Sequence, residues 1–316
     1  MWISGKWVDY ELLDCSGGEK LERWGDYTLI RPDPQVIWRT PREHPGWQNP
    51  DARYKRSQSG GGRWFTRGQE TKDARDAKDA KDVKGQETGT RGRGYTGISA
   101  KWSVGYGSLT FNVSLMNFKH TGLFPEQAVN WEYITEKIRL AEQEVRVLNL
   151  FAYTGGATLA AAAAGASVCH VDAARGMVQR ARENAEASGL ESMPIRWIVD
   201  DCAGFVQREI RRGRKYDALI MDPPSYGRGP GGEVWKLEDE LYDFMKLCVG
   251  VLSDDPLFVL INSYTAGLSP SVLAYIAQSL LGGHTECGEL GLPVVSSGMT
   301  LPCGASCRWQ PTMDNG

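Results

Sequence analysis

The chain has 316 residues with 36 Lys and Arg against 39 Asp and Glu, 41% hydrophobic and 24% charged residues. That balance is ordinary for a soluble globular chain and excludes a polycation, so any nucleic-acid contact has to come from a local basic patch. Seven scattered cysteines include one close pair, Cys303 and Cys307, with no second pair to complete a zinc set. We therefore expect no metal and reduced thiols in a cytoplasmic protein. No stretch approaches the roughly 20 apolar residues of a membrane span, and the first residues lack the apolar run of a signal peptide.

Residues 1–67 are rich in Trp (Trp2, Trp7, Trp24, Trp38, Trp47 and Trp64), and short apolar pieces such as Tyr27–Ile30 and Val36–Trp38 alternate with Pro and Gly. This texture predicts a small β-rich module. Residues 68–94 are low in complexity: Gly-Gln-Glu-Thr occurs twice, around a basic-Asp-apolar triplet repeat from Lys72 to Val83. A period of three gives neither a helix nor a strand an apolar face, so a solvated insertion is expected. Ser108–Leu115 alternates as a strand, and a polar loop over Phe118–Gln127 leads to a helix near Trp131–Gln143.

From residue 145 onward the pattern alternates. Strands are predicted at Val145–Leu150, Ser167–Val171, Ile195–Val199, Ala218–Met221 and Leu257–Ile261. Helices are predicted at Ala157–Ala164, Arg175–Ser188, Gly204–Arg212, Leu237–Leu252 and Pro270–Leu281. His284–Leu290 and Met299–Arg308 fit an antiparallel hairpin added at the sheet edge. The expectation is an α/β fold: a Rossmann-like, doubly wound, mostly parallel seven-stranded sheet in residues 131–316, with a smaller β-rich domain in residues 1–130.

Four motifs lie at the ends of these strands. Asn149-Leu150-Phe151-Ala152-Tyr153-Thr154-Gly155-Gly156 is a strand running into a glycine turn before an Ala-rich helix, where backbone can approach a ligand. It is not the Gly-x-Gly-x-x-Gly pattern that cradles a pyrophosphate, which disfavours a nicotinamide dehydrogenase. Asp172 ends the second strand, where a carboxylate can accept both hydroxyls of a ribose; its alternative role is a helix cap. In Asp200-Asp201-Cys202 we take Asp201 over Asp200 as the acceptor for an adenine amine, with the Cys202 N–H meeting a ring nitrogen. Asp222-Pro223-Pro224-Ser225-Tyr226 ends the fourth strand: two prolines without N–H donors leave carbonyls free to accept from a target amine, and Tyr226 can stack on a base.

Together these motifs resemble the class I S-adenosylmethionine-dependent methyltransferases, in particular the branch of ribosomal-RNA methyltransferases with an N-terminal β-rich domain. The resemblance runs through Lys119–Gln127, Asn149–Thr158, Asp172, Asp222–Gly229 and Leu301–Ser306. It implies that Phe151, Tyr153, Thr154 and Gly155 line the methionine and ribose side of the cofactor. Asp172 would hold the ribose, Asp201 the adenine and Asp222 the neighbourhood of the transferred methyl, with Phe124 and Gln127 closing the pocket. The implied partner is RNA, most specifically ribosomal, and the sequence carries no signal for oligomeric state.

Methylation of carbon 5 in a pyrimidine requires a thiolate nucleophile. In the family this chain resembles, members that do this carry Cys near the fourth motif or at the end of the fifth strand, and here neither Asp222–Tyr226 nor Asn262-Ser263-Tyr264 contains one. A base nitrogen is therefore the expected acceptor. The basic stretches Arg53–Arg56, Arg208–Lys215 and Arg91 with Arg93 support RNA. A small-molecule or protein acceptor is the alternative favoured by the net negative charge, and a non-catalytic cofactor- or RNA-binding module is the alternative of a different class.

Overall fold

A computed structural model describes residues 1–57, 61–67, 98–99, 101–228 and 234–312. The insertion at 68–94, with Arg91 and Arg93, and Gly229 lie outside the described residues. In chain order the first strands are β1 (Trp2–Ile3), β2 (Tyr10–Ser16), β3 (Glu19–Trp24), β4 (Tyr27–Pro32), β5 (Ala52–Arg56), β6 (Gly62–Thr66), β7 (Trp102–Tyr106) and β8 (Leu109–Val113). Next come α1 (Ala128–Leu140), β9 (Arg146–Leu150), α2 (Gly156–Ala163), β10 (Ser167–Asp172), α3 (Arg175–Ala187), β11 (Ile195–Val199) and α4 (Cys202–Arg211). The chain continues with β12 (Ala218–Met221), β13 (Tyr226–Arg228), β14 (Val234–Lys236), α5 (Leu237–Val249), β15 (Phe258–Ser263), α6 (Pro270–Leu281), β16 (His284–Pro293) and β17 (Thr300–Gln310). Expected and observed helices of the second half coincide to within a turn.

The central strands are apolar on both faces, as parallel strands between two helical layers must be. β12 and β15 are buried at every position. The period of two sorts their side chains. Leu148, Leu150, Leu219 and Met221 face Phe205 of α4, Phe244 of α5 and Leu273 of α6. Val147, Ala218 and Ile220 face Ile134 and Ile138 of α1 and Ala161 of α2. Each large aliphatic side chain so buried contributes roughly 1.5–3 kcal/mol.

The sheet order is β1-β16-β17-β15-β12-β9-β10-β11. The chain leaves β9 outward through β10 and β11, then returns to β12 on the other side of β9, with all these pairings parallel. The order reverses at the carboxyl ends of β9 and β12, where open α/β sheets bind ligands. β15–β17 and β16–β17 are antiparallel, as the hairpin pattern predicts. The sheet has eight strands rather than the expected seven, because Trp2–Ile3 pairs in parallel with Leu290–Gly291. Two residues carry no periodic signal; what holds them is packing, with the Arg308 guanidinium 4.0 Å over the Trp2 ring.

The amino-terminal residues form a five-stranded sheet, β2-β3-β4-β5-β6, and the β7–β8 hairpin. Val36–Trp38 is not a strand; its carbonyls instead accept from the Gly17 and Gly18 N–H groups at the β2–β3 turn. The Trp-rich texture is core: Trp24, Leu12 and Phe111 share one apolar cluster with Trp131 of α1 and Leu159 of α2.

Candidate active site

The turn after β9 is bent by two non-glycine residues in the left-handed region, Phe151 (φ 54°) and Tyr153 (φ 49°), and by Gly155 (φ 90°). Each non-glycine residue there costs on the order of 1–2 kcal/mol, so the surroundings must hold it. They do. The Tyr153 N–H donates to Asp172 Oδ2 at 2.9 Å, and the Thr154 hydroxyl donates to the Gly122 carbonyl at 2.6 Å. The Phe151 N–H points at Cys202 Sγ, 3.4 Å away. At Gly155 a Cβ would stand 3.0 Å from the Ala181 Cβ, on a backbone that disfavours one anyway.

Asp172 therefore has a structural task beside any ligand. Its Oδ1 also accepts from the Ala174 N–H at 2.8 Å. Burial raises its pKa, and the two N–H groups work in the opposite direction. Each carboxylate oxygen keeps a second lone pair for a further donor.

The adjacent pair at the end of β11 divides. Asp200 forms an ion pair with Arg208, while Asp201 caps α4 by accepting from the Gly204 N–H at 2.7 Å. Asp201 is exposed and its second oxygen takes no part in the cap. The buried Cys202 thiol is turned back toward the β9 turn.

Seven expected residues, Phe124, Gln127, Asn149, Phe151, Tyr153, Thr154 and Asp222, line one cavity of about 60 Å³. Gly155, Asp172, Asp201, Cys202, Pro223, Pro224 and Tyr226 are not part of its wall. Asp222 Oδ1 is sealed from solvent and has no hydrogen-bond partner. Burial, and then the charge of Glu126, push this carboxyl up to about 7. Such an orphaned buried acceptor is where a bound water, an ion or a ligand donor is accommodated.

The loop after Asp222 differs from expectation in one respect. The Pro224 carbonyl is not free: it accepts from Trp235 Nε1 at 2.6 Å, because β13 and β14 form a hairpin that brings Trp235 back. Ser225 Oγ accepts from the Thr265 hydroxyl at 2.8 Å. Tyr226 lies on β13 and is half exposed.

The residues that hold these expected ones in place, among them Tyr264, Asn130 and His170, were given no role in the sequence reading. Phe124 packs against both Tyr153 and Tyr264, ring centroids 5.5 Å apart in each case. Gln127 donates to the Tyr264 hydroxyl at 2.9 Å and accepts from Asn130 at 2.9 Å. The fully buried Asn130 also reaches Asn262 and Ser306 and accepts from Arg308 at 2.9 Å. Asn149 donates to Thr158, which bonds His170 Nδ1 at 2.9 Å; burial holds that imidazole down at about 3. The signal for the first network was present: Asn130 lies in α1 among its buried Ile134 and Ile138, and Gln127 immediately precedes the helix at the same spacing. Polar residues at core spacing require buried partners.

The loop before α1 is anchored from the β-rich side. Lys119 (φ 67°) donates to the Pro32 carbonyl at 2.9 Å, and its own carbonyl accepts from Arg31. Arg31 in turn bonds the buried Glu22 at 2.6 and 2.8 Å. Burial alone would raise Glu22, but Arg31 and Lys20 hold it down at about 2. Among the described residues no cluster of three His, Cys, Asp or Glu side chains forms that could hold a metal ion.

Residues 96–245 match the family model of S-adenosylmethionine-dependent methyltransferases. A SAM-dependent methyltransferase from Agrobacterium tumefaciens of known crystal structure is 35% identical, with a TM-score of 0.84 over 98% of this chain and 93% of that one. A protein from Streptococcus mutans shares the fold at 17% identity and a TM-score of 0.65, over 96% of this chain and 76% of its own. Among curated relatives, ribosomal RNA large subunit methyltransferase K/L of Shewanella loihica is 34% identical over 117 residues, 37% of this chain and 16% of the relative. Ribosomal RNA large subunit methyltransferase I of Aeromonas salmonicida is 33% identical over 115 residues, 36% of this chain and 28% of the relative. The chain thus spans under a third of those curated relatives' length. With the near-full-length match to the Agrobacterium enzyme, the chain belongs to the S-adenosylmethionine-dependent methyltransferases, and S-adenosylmethionine is its cofactor.

Proposed function

We propose that this chain methylates a base nitrogen in ribosomal RNA. The observation that carries the proposal is the buried Asp222 Oδ1, without a hydrogen-bond partner at the carboxyl end of β12, in the wall of the cavity that also takes in Phe151 and Tyr153. A buried acceptor there fits a cofactor with a cationic centre and a target amine with an N–H to donate. Bound S-adenosylmethionine supplies an electrophilic methyl group on a sulfonium.

The chain's own residues do the rest. Asp172 accepts the ribose hydroxyls, and Asp201 with the Cys202 N–H meets the adenine. The turn Phe151–Gly155 lines the methionine and ribose side, over Asn149, and Phe124 with Gln127 closes the pocket. Asp222 accepts from the target amine, which aligns its lone pair, and Pro223 stiffens the loop beside it. A carboxyl at about 7 is also matched to taking up the proton that the amine loses. Pro224, fixed by Trp235, and Tyr226 present the flat rim for the base.

Nitrogen is favoured over carbon because the nearby thiols are neutral. Burial pushes Cys202 and Cys303 well up. The Cys303 thiol donates to the Leu301 carbonyl. RNA is favoured by the names of the curated relatives and by the β5–β6 hairpin, where Lys55, Arg56 and Arg63 are exposed and Lys55 and Arg63 lie 5.0 and 4.5 Å over Phe65. All seven cysteines are free thiols and no described helix is long and apolar enough to cross a membrane, which fits a place in the cytoplasm. The strands β2–β8 are then the RNA-facing part, and the residues from Phe124 onward the methyl-transfer part, with β1 added to the edge of its sheet. The test is transfer of label from tritiated S-adenosylmethionine into RNA, protein and small-molecule fractions of cells lacking the gene. Label in ribosomal RNA is the expected result; label confined to protein or metabolites overturns the proposal.

A further inference from the structure

A second cavity, of about 380 Å³, lies between the loop joining β4 to β5 and the β16–β17 turn. Its volume is in the range of small-ligand sites. Trp38 forms one wall, and its indole N–H is fixed by donation to the Cys15 carbonyl at 3.0 Å. Pro41, Pro302 and the exposed Met299 supply further apolar surface.

The polar groups in this cavity select a ligand class. No Lys or Arg lines it. The adjacent Arg42 is committed elsewhere: it stacks 4.1 Å over Trp47, pairs with Glu19 at 2.8 Å and donates to the Ser16 carbonyl. Asp14 Oδ1 accepts from Ser296 and the Cys15 N–H and its Oδ2 from Trp47, which leaves one lone pair of a buried carboxylate at the wall. Glu43 is exposed on the rim as a carboxylate acceptor. His44 Nδ1 accepts from the Gly46 N–H at 3.0 Å, which leaves Nε2 as the N–H donor of the neutral ring. A fixed aromatic wall, the exposed Glu43 acceptor beside the largely engaged Asp14, one ring donor and no lining cation suit a flat uncharged heterocycle with an exocyclic amine, and repel phosphate.

The place of the cavity ties it to the methylation site. Pro302 is two residues before Gly304, roughly 7 Å along a strand. Cys303, between them, is the extra residue of a β-bulge, because Leu290 pairs with Gly304 and Gly291 with Pro302. Gly304 has no side chain because a Cβ would stand 2.9 Å from the Tyr264 ring. Tyr264 packs on Phe124, which lines the cavity with Asp222. We propose that the Trp38–Glu43–His44 cavity is a second nucleobase subsite, which holds an amine-bearing base of the RNA a few nucleotides from the methylated one. This rests on the RNA reading above for its biological use, but not for its ligand chemistry.

Two experiments separate the two claims. The chain is labelled with 13C at its methionine methyls, saturated with S-adenosylhomocysteine to occupy the cofactor site, and titrated with adenosine, cytidine, uridine or inorganic phosphate. The Met299 resonance is identified by its loss in Met299→Leu. Adenosine and cytidine are expected to shift it saturably, uridine at least about ten-fold more weakly, and phosphate not at all. Glu43→Ala is expected to weaken the shift about ten-fold, and Ser297→Trp, which fills the cavity from an exposed position, to abolish it. No nucleoside shift, an equal shift in Ser297→Trp, or a shift with phosphate alone overturns the subsite. In the second experiment Ser297→Trp and Glu43→Ala, checked for an unchanged Tm, are assayed for methyl transfer to RNA. A KM raised about ten-fold at unchanged kcat supports the positioning role, and unchanged KM overturns it. A chain that labels no RNA yet binds nucleosides at Met299 fails the RNA reading alone.

Discussion

Asp222 sets the stability of the fold against its activity, and Asp222→Asn separates them. The folded protein binds the Asp222 proton more tightly than the unfolded chain, because burial and Glu126 raise the carboxyl from 3.8 to about 7. Raising the pH withdraws that proton and destabilises the fold. The cost is absent below the unfolded value of 3.8, grows between 3.8 and about 7, and is complete above about 7. A carboxyl moved that far costs about 4 kcal/mol when fully ionised, and the partial solvent contact of the residue lowers this to about 2–4 kcal/mol. Asparagine keeps the shape and removes the charge. Urea denaturation at pH 8 without cofactor is expected to show Asp222→Asn more stable than wild type by that amount, the gap narrowing below pH 7 and closing near pH 4. Methyl transfer is expected to be lost. Equal stability at pH 8, or a gap that widens toward acid, would refute the assignment of a strained buried carboxylate.

Asp172→Ala removes two backbone anchors and the proposed ribose acceptor. With charged hydrogen bonds worth about 1.5–3 kcal/mol each, calorimetry should find S-adenosylmethionine bound at least about ten-fold more weakly; unchanged affinity would remove the residue from the cofactor site. Asn130→Ala leaves Asn262, Ser306 and Arg308 short of partners in a buried network, and denaturant titration should report a loss of about 2–3 kcal/mol. Lys55→Ala and Arg56→Ala should each weaken RNA binding and flatten its dependence on salt by about 0.7 for every phosphate no longer neutralised. A slope unchanged in both would take the β5–β6 hairpin out of the RNA path.

The half of the fold built on β9–β15 was legible because its strands are buried on both faces and its helices alternate with them, so each element announces itself locally. What could not be read depends on contacts between distant residues. β1 is two residues long and exists because Leu290 and Gly291 offer a free edge and Arg308 a surface for Trp2. The β13–β14 hairpin has three residues on each side, too few for periodicity, yet it takes the Pro224 carbonyl that Asp-Pro-Pro-Ser-Tyr alone leaves open. For the same reason the site was legible in its strand-end motifs and not in its support. Gln127, Asn130, Asn262 and Ser306 come from three separated segments and meet only once the antiparallel β17 is laid beside β15. Choosing between Asp200 and Asp201 had a local key: Arg208, two helical turns on, claims Asp200.

The most direct test of the central claim is the chemical identity of the product. Ribosomal RNA from cells lacking the gene is incubated with S-adenosylmethionine and either wild type or Asp222→Ala, digested to nucleosides and analysed by mass spectrometry. The expected result is one new N-methylated nucleoside with wild type and none with Asp222→Ala, although the variant still binds the RNA. A 5-methylpyrimidine, or the same N-methylated product from Asp222→Ala, would contradict it.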